Sequence, residues 1–414
     1  MTNIASENWF KAEGLQRVLA LLNRDDGEAR IVGGAVRNSL MGIPLSDMDI
    51  ATTHRPEAVQ ALAEAAGIKC VPTGIKHGTV TLVVDGKPFE VTTLRKDVDT
   101  DGRHAEVEFT DDWKADAERR DLTINALYAD KDGEVYDYVG GLPDIASATI
   151  RFIGSAAERI AEDHLRILRF FRFFAFYGKG RPDAEGLKAC AVAKKSIGAL
   201  SAERIWAEMR KLLSAPDPFR ALLWMRTSGV LTEVLPETEK WGIDAVPALV
   251  RAEDQFGWPV NPLLRLAAMV PPVSDRLEAM ADRLRMSGAE REFLEAFSEF
   301  PNFVETISKT DWEKLLYQHG AAGSVARLKL AIANALSKGE DDLDQLKRMG
   351  YLQKLLQATE QWQRPNLPVK GADLLAVGFK PGPEMGAMLE RLEKDWIASN
   401  FSLTRDELVG LAIQ

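Results

Sequence analysis

Two carboxylates one residue apart, Asp47 and Asp49, close the run GGAVRNSLMGIPLSDMDIAT, which opens on Gly33 and Gly34. Side chains alternate along a strand, so Asp47 and Asp49 share a face if LSDMDIAT is extended. Neighbouring carboxylates repel, and on a partly buried face each needs a cation to neutralise it. Mg²⁺ suits that need, because it is a hard cation that takes a few carboxylate oxygens and completes its octahedron with water and phosphate oxygens. Gly33 and Gly34 follow the strand-like RIV and precede the helical AVRNSLMG. Lacking side chains, they admit phosphate oxygens to backbone N–H groups at a helix start, and Arg37 lies one turn inside to add a fork of donors. The joint reading is a triphosphate held beside a divalent metal. Singly, a Gly-Gly pair is an ordinary turn and an Asp-x-Asp pair a solvated loop; their order and spacing carry the reading. In PFEVTTLR, Glu90 sits in another apolar strand, either as a third active-site acid or as an edge residue facing water.

Two further segments carry charge at helical spacing. In EDHLRILRFFRF, Asp163, Arg166, Arg169 and Arg172 recur every three residues. Each steps back by about 60° on a helix of roughly 3.6 residues per turn, so the four span one broad side. Ile167, Leu168, Phe171 and Phe174 are left to pack elsewhere. Alone, this pattern reads as a salt-bridged surface helix. In RRDLTINAL, Asp121 and Asn125 flank an apolar turn of helix, and Asp121 doubles as an N-cap.

These side chains need a scaffold. Over residues 1–145, ARIVGG, DMDIAT, GTVTLVV and FEVTTLR are short β-rich runs bounded by Gly, Pro and Asp, and PEAVQALAEAAG between them is helical. Beyond about Ala146 strand signals vanish, and segments such as AAERIAEDHLRILRFFRFFAFYG and SAERIWAEMRKLLS have apolar residues at helical spacing. The expected fold class is α+β, with a 1–145 unit of small mixed sheet and helices followed by all-α segments at 146–214, 215–364 and 365–414. The stretch 95–118, rich in charge and containing Gly102, reads as a long mobile loop.

With 414 residues, 46% hydrophobic and 28% charged, the chain has the composition of a multi-domain globular protein. Its two cysteines, Cys70 and Cys190, lie far apart without CxxC spacing, which suggests neither a disulfide framework nor a zinc site and fits a reducing, cytoplasmic setting. The N-terminus lacks a signal-peptide pattern, and no apolar run reaches the roughly 18 to 20 residues of a membrane span. The net charge of −10 argues against indiscriminate coating of nucleic acid. Yet residues 151–214 carry thirteen Lys and Arg against seven Asp and Glu, a basic middle where an anionic partner would dock.

In order, GGAVRN with DMD, EVTTLR, RRDLTINALYAD and EDHLRILRFFRF resemble the signature set of the class II tRNA nucleotidyltransferase and bacterial poly(A) polymerase family. The resemblance is strong through the first two segments and weak through the C-terminal half. It implies a polymerase-β-like nucleotidyltransferase head, then a helical neck (146–214), body (215–364) and tRNA-binding tail (365–414). It also implies the reaction: an RNA 3′-hydroxyl attacks the α-phosphate of CTP or ATP and pyrophosphate leaves. On this resemblance Asp47 and Asp49 hold two Mg²⁺ ions, one activating the hydroxyl and one neutralising the triphosphate, with Glu90 as a further catalytic candidate. Gly33, Gly34, Arg37, Arg120, Arg169 and Arg172 become nucleotide-binding candidates, with Arg119 next to them, while Asp163 and Arg166 read the Watson–Crick edge of the incoming base. The charged 95–118 stretch resembles the loop that accompanies the change from C to A addition.

Within the family, PTGIKHGTVTLVVDGKPFEVTTLR and the C-terminal GADLLAVGFKPGPEMGAMLERLEKDWIASN resemble CCA-adding members acting on the tRNA 3′ end. Poly(A) addition, and C-only or A-only addition, are the alternatives inside the family. A non-catalytic RNA-binding protein on the same fold is the alternative outside it, and the presence of both aspartates argues against that. No His-Asp dipeptide occurs to support an appended HD-type domain. The chain departs from the family's GGxVRD at Asn38, which keeps an acceptor but loses a charge and puts the pairing of that position with an arginine in question.

Overall fold

The computed structural model describes the chain except for residues 1, 25, 46, 47, 102, 103, 240, 241, 305, 338–341 and 414, and the side chains of 76, 97–101 and 104–107. It divides into two units, Met1–Glu239 and Lys240–Gln414.

The first unit contains β1 (Ala29–Val32), β2 (Asp49–Thr52), β3 (Lys69–Gly74), β4 (Thr79–Val84), β5 (Lys87–Thr93), β6 (Arg95–Asp101), β7 (His104–Phe109), β8 (Leu127–Ala129) and β9 (Val135–Asp137). Seven of them form one sheet in the order β3-β4-β5-β2-β1-β8-β9. Only β2 and β5 run parallel within it, so the sheet is mixed. The four β-rich runs of the sequence supply β1, β2, β4 and β5. In β4, Val80, Leu82 and Val84 are buried and alternate with half-buried neighbours, the pattern of a strand with one face on a core. Central β1 is buried at every position.

Helix α1 (Glu13–Leu22) closes that core. Its Leu15, Val18, Leu19 and Leu22 fall at helical spacing and pack in one cluster with Ile31, Ile50, Val80 and Leu82. Around the sheet and beyond it run α2 (Gly34–Leu40), α3 (Pro56–Ala65), α4 (Trp113–Glu118), α5 (Gly141–Ser147), α6 (Ala156–Glu162), α7 (Leu165–Tyr177), α8 (Ala184–Ala193), α9 (Ala202–Leu213), α10 (Phe219–Ser228) and α11 (Val230–Val234). A small mixed sheet followed by helices is the α+β class expected.

Three local expectations are corrected. RRDLTINAL forms no α-helix: after α4 the expected helical turn is a single 3-10 turn, Thr123–Asn125, and the chain then enters β8, because Tyr128 and Ala129 pair with Val32 and Ile31 of β1. Asp121 therefore caps no α-helix. The helix expected through Asp163 is two helices; Asp163 is extended, at φ −151° and ψ 108°, and its Oδ1 accepts from the Leu165 N–H at 3.0 Å to start α7. The 95–118 stretch is no simple loop, since β6 and β7 pair antiparallel from Arg95↔Phe109 to Asp101↔His104 and Asp112 then caps α4. There the local ladder satisfies the backbone polar groups that a loop would leave to water.

The second unit is helical over its described residues: α12 (Val246–Phe256), α13 (Pro262–Ala267), α14 (Ser274–Arg283), α15 (Gly288–Glu299), α16 (Lys309–His319), α17 (Ala321–Ser337), α18 (Leu343–Gln361), α19 (Gly371–Ala376), α20 (Pro383–Ala398) and α21 (Arg405–Ile413). One cluster packs Phe300, Trp312, Leu328, Ile332 and Leu352; another packs Tyr317, Leu374, Leu392, Trp396 and Leu408. Among the described residues no helix is long and apolar enough to cross a membrane.

A buried ion pair ties α13 to α12, with Arg265 Nη2 2.5 Å from Glu253 Oε2 and both side chains almost fully enclosed. Removing one partner of such a pair strands the other charge, at a cost of roughly 3 to 5 kcal/mol. Glu253→Ala should accordingly shift the denaturant midpoint of the second unit by an amount of that order, whereas Glu299→Ala on an exposed position should leave it within about 0.5 kcal/mol. Equilibrium unfolding in urea followed by tryptophan fluorescence measures both.

Candidate active site

The sheet register builds the first wall. Val32 ends β1 opposite Asp49, the first residue of β2, and Asp49 is the register partner of Glu90 on the parallel β5. Gly33 then turns the chain into α2 at φ 71°, a left-handed conformation that a Cβ would strain. Its N–H donates to Leu127 O at 3.0 Å, and its own carbonyl accepts from Arg37 N at 3.0 Å. The glycine turn is thus pinned to β8 on one side and α2 on the other, directly beside Asp49.

Arg37 is 5% exposed, and its fork is engaged with protein groups. Nε and Nη2 donate to Asn38 Oδ1 at 3.1 and 2.9 Å, Nη1 to Asn125 Oδ1 at 2.5 Å, and Nη2 also to the Tyr177 hydroxyl at 2.8 Å. The Tyr177 ring lies under the guanidinium at 4.1 Å. Burial pushes the Arg37 pKa down, partly offset by Tyr177. Asn38 therefore does pair with an arginine, as a neutral acceptor, and its Nδ2 donates to Pro44 O at 2.8 Å.

The second wall rests on Asp116, a residue that the sequence reading passed over. Its carboxylate is 1% exposed and takes Arg119 at 2.6 Å, Arg120 at 3.0 Å and the Tyr128 hydroxyl at 2.8 Å. Burial raises the carboxyl, but Arg120 and Arg119 outweigh it and hold its pKa at about 2. The signal was present as an acid three and four residues before two arginines, the spacing of helical ion pairs. Nearby, Asp121 Oδ2 accepts from Arg169 Nε at 2.6 Å and Oδ1 from Asn125 Nδ2 at 3.1 Å. Against its burial, Arg169 and Asn125 keep the Asp121 carboxyl well below the usual carboxylate range.

Helices α7 and α9 form the third wall. Arg166 donates to Glu162, to Arg159 O at 2.9 Å and to Arg119 O at 3.3 Å. Asp163 Oδ2 accepts from Arg204 Nη2 at 2.7 Å. Arg172 Nε lies 2.7 Å from Glu208 Oε2, close but not aligned as a hydrogen bond. Arg204 and Glu208 are one turn apart on α9, so a single helix face braces both ends of the α7 row. Sequence reading missed both, although the (i, i+4) charge spacing in SAERIWAEMRKLL was visible.

The three walls enclose a cavity of about 790 Å³, within the range of nucleotide-sized sites. Gly33, Gly34, Arg37, Asp49, Arg120, Asp163, Arg166, Arg169 and Arg172 all line it. So do Arg119, Asp121, Asn125, Tyr177, Arg204 and Lys211. Glu90 is exposed beside Asp49 and is not part of the lining. Asp47 lies outside the described residues. Eight Arg and Lys face three Asp among the lining residues, so the cavity is strongly cationic in a chain of net negative charge. No cluster of three or more metal-ligating side chains occurs among the described residues, but Asp49 with Glu90 at its side presents hard oxygen donors at the cavity edge.

A mixed head sheet with a glycine turn, an acidic strand start and an arginine-lined cavity is the arrangement of a nucleotidyltransferase. The family model described as Poly A polymerase head domain matches residues 29–151, that described as Probable RNA and SrmB- binding site of polymerase A matches 182–241, and a tRNA nucleotidyltransferase domain 2 model matches 274–412. The chain is 36% identical over 410 residues to the CCA tRNA nucleotidyltransferase 1, mitochondrial, of Mus musculus, covering 96% of this chain and 89% of that one. It is 31% identical over 392 residues to a CCA-adding enzyme of Streptococcus pyogenes, covering 91% and 90%. The crystal structure of the Bacillus stearothermophilus CCA-adding enzyme in complex with CTP superposes with a TM-score of 0.73 at 26% identity, covering 94% of this chain and 93% of that one. The chain belongs to the tRNA nucleotidyltransferase and poly(A) polymerase family.

Asp116 yields a pH test. Its folded pKa is depressed from an ordinary 3.8 to about 2, so it contributes stability above about pH 4 that is lost as pH falls towards 2. The contribution is on the order of 2 kcal/mol. Asp116→Asn, which does not titrate, should be less stable than the parent at pH 7 and should lose less between pH 4 and 2, as read by thermal melts across that range.

Proposed function

We propose that the protein adds C, C and A to the 3′ end of tRNA, from CTP and ATP, by nucleotidyl transfer with release of pyrophosphate. The observation that carries this reading is the convergence in one cavity of the Gly33-Gly34 turn, Asp49, and the Asp163–Arg166 pair, which the chain supplies from three separate segments. The RNA 3′-hydroxyl attacks the α-phosphate of the bound nucleotide, and the bond from that phosphorus to the bridging oxygen of pyrophosphate breaks. Gly33 and Gly34 let the triphosphate approach the backbone, and the cationic wall of Arg120, Arg169 and Arg172 neutralises it. Arg37 acts mainly by holding Asn125 and Tyr177 in place, since its fork is already engaged.

Asp49 with Asp47 would hold Mg²⁺, with Glu90 as a further carboxylate next to Asp49. When bound, the metal supplies activation of the attacking hydroxyl and neutralisation of the triphosphate. Asp163 and Arg166 select the base. A carboxylate accepts from the exocyclic amino group of C or A, and a guanidinium donates to the adjacent ring nitrogen, whereas U and G present the opposite polarity there. Asp163 keeps acceptor capacity while held by Arg204, because each carboxylate oxygen has two lone pairs.

The reading extends to the rest of the chain: residues 1–145 as catalytic head, 146–214 as base-selecting neck, 215–364 as body and 365–414 as tRNA-binding tail. Cys70 and Cys190 are free thiols, which fits a reducing compartment. Vertebrate relatives carry the word mitochondrial in their names, and the setting we propose here is the cytoplasm.

Incubation with tRNA lacking its 3′ CCA, Mg²⁺ and labelled CTP and ATP, resolved by product length, tests the assignment. Three added nucleotides are expected; a long A tract would turn it to poly(A) addition, and no incorporation by a folded preparation to an RNA-binding role. Asp47→Ala and Asp49→Ala should each cut turnover by roughly a hundredfold or more while tRNA binding persists. In the double variant Asp163→Ala, Arg166→Ala, discrimination against UTP and GTP should fall by about tenfold to a thousandfold, the worth of one or two charge-assisted hydrogen bonds. Unchanged selectivity would remove the base-reading role.

A further inference from the structure

The second unit holds a cavity of its own, of about 730 Å³, for which the reaction above has no use. Its walls are mostly apolar: Ala245 at the N-cap of α12 and Ala248 on it, Phe297 on α15, Phe303 in the following segment, and Leu330 and Ala331 on α17. Two charged residues break this lining, Arg327 on α17 and Asp244 in the segment before α12. Arg327 Nη2 donates to Phe300 O at 2.9 Å, and its guanidinium lies 5.0 Å from the centre of the Phe297 ring. Its Nε is buried and has no hydrogen-bond partner. Among the described residues no ion pair offsets its charge, and burial pushes its pKa down.

This arrangement is costly as structure. A half-buried guanidinium normally meets a carboxylate, as Arg265 meets Glu253 in the same unit, and an unpaired buried N–H costs free energy that an apolar side chain at this place would avoid. The Phe297 and Phe303 rings in the lining suit a planar apolar body. We propose that this cavity is a binding site for a small organic anion, one carboxylate or phosphate group meeting Arg327 and an apolar, planar body lying against Phe297 and Phe303. Charge complementarity at Arg327 selects the anion, whose head group must meet Arg327 and not lie beside the Asp244 carboxylate, and the apolar walls select the body.

Benzoate, phenyl phosphate and benzamide share one ring and differ in head group, so their titration into the full chain by isothermal calorimetry or ligand-observed NMR separates the two contributions. The anions should bind more tightly than benzamide by roughly tenfold to a hundredfold, the worth of a charge-assisted hydrogen bond. Preference for benzoate would indicate a carboxylate ligand and preference for phenyl phosphate a phosphorylated one, each in support. Arg327→Leu should abolish the preference for anions, and Ala331→Phe, which fills the cavity and leaves the charge in place, should abolish binding of all three probes. Equal affinity for benzamide and the anions overturns the proposal, as does anion binding that survives Ala331→Phe. The second variant keeps the test decisive if Arg327→Leu fails to fold.

Discussion

Like charges at close quarters are the constraint around which the first unit is organised. Arg37, Arg119, Arg120, Arg166, Arg169, Arg172, Arg204 and Lys211 share one cavity, and in a partly desolvated space their mutual repulsion would drive the walls apart. The fold answers with carboxylates delivered from different elements: Asp116 from α4, Asp121 from the turn before β8, Glu162 from α6 and Glu208 from α9. Each anchors one or two guanidinium groups, Asp121 from within the cavity lining and the other three from outside it. What remains is a surface that stays cationic toward a ligand while being held by these anions. The depressed carboxyl pKa values of Asp116 and Asp121 are the electrostatic signature of that arrangement.

Such anchoring has a consequence for rigidity. A guanidinium whose fork is fixed by a buried carboxylate loses little further entropy when phosphate arrives, so the ordering cost is met during folding instead of at binding. Arg37 is the extreme case: Asn38, Asn125 and Tyr177 leave it little capacity for a ligand, and its contribution is to lock α2, the turn before β8 and the end of α7 to one another. The uncharged Asn38 suits this position. An aspartate beside Arg37 would add a buried charge, whereas the amide accepts the same two N–H groups and still donates to Pro44 O, so no polar group is stranded.

Much of this was legible in the sequence, and the reasons it was or was not are local. The β1–α2–β2 unit could be read because its signals agree: a β-rich run, glycines where positive φ is needed, and apolar alternation on either side. The fold class followed from the disappearance of strand signals after residue 146. The helix through Asp163 could not be placed correctly from periodicity, since the three-residue charge spacing runs unbroken across a point where the backbone is extended. The Asp163 side chain itself supplies the stop, by accepting the Leu165 N–H. Leu127-Tyr128-Ala129 carried no readable strand signal because a three-residue strand is too short to show a period, and its conformation is set by pairing with β1. Tyr177 left no trace at all, because an aromatic at the end of an aromatic-rich helix is indistinguishable from core until α2 is packed against it.

The two units handle buried arginine in opposite ways, and the contrast separates structure from ligand. In the first, each cavity arginine that is deeply enclosed has a carboxylate or a set of neutral acceptors; in the second, among the described residues, Arg265 has Glu253 while Arg327 has the Phe300 carbonyl and the Phe297 ring. Selection for stability alone would replace an uncompensated guanidinium with a leucine or methionine of similar volume, which packs as well and needs no partner. Its presence on α17, facing a cavity wide enough for a small molecule, is therefore better explained by what it can meet than by what it holds together. The same logic, applied in reverse, accounts for the head: its cations are so fully braced that their shared face can stay open to a polyanion without the fold depending on one.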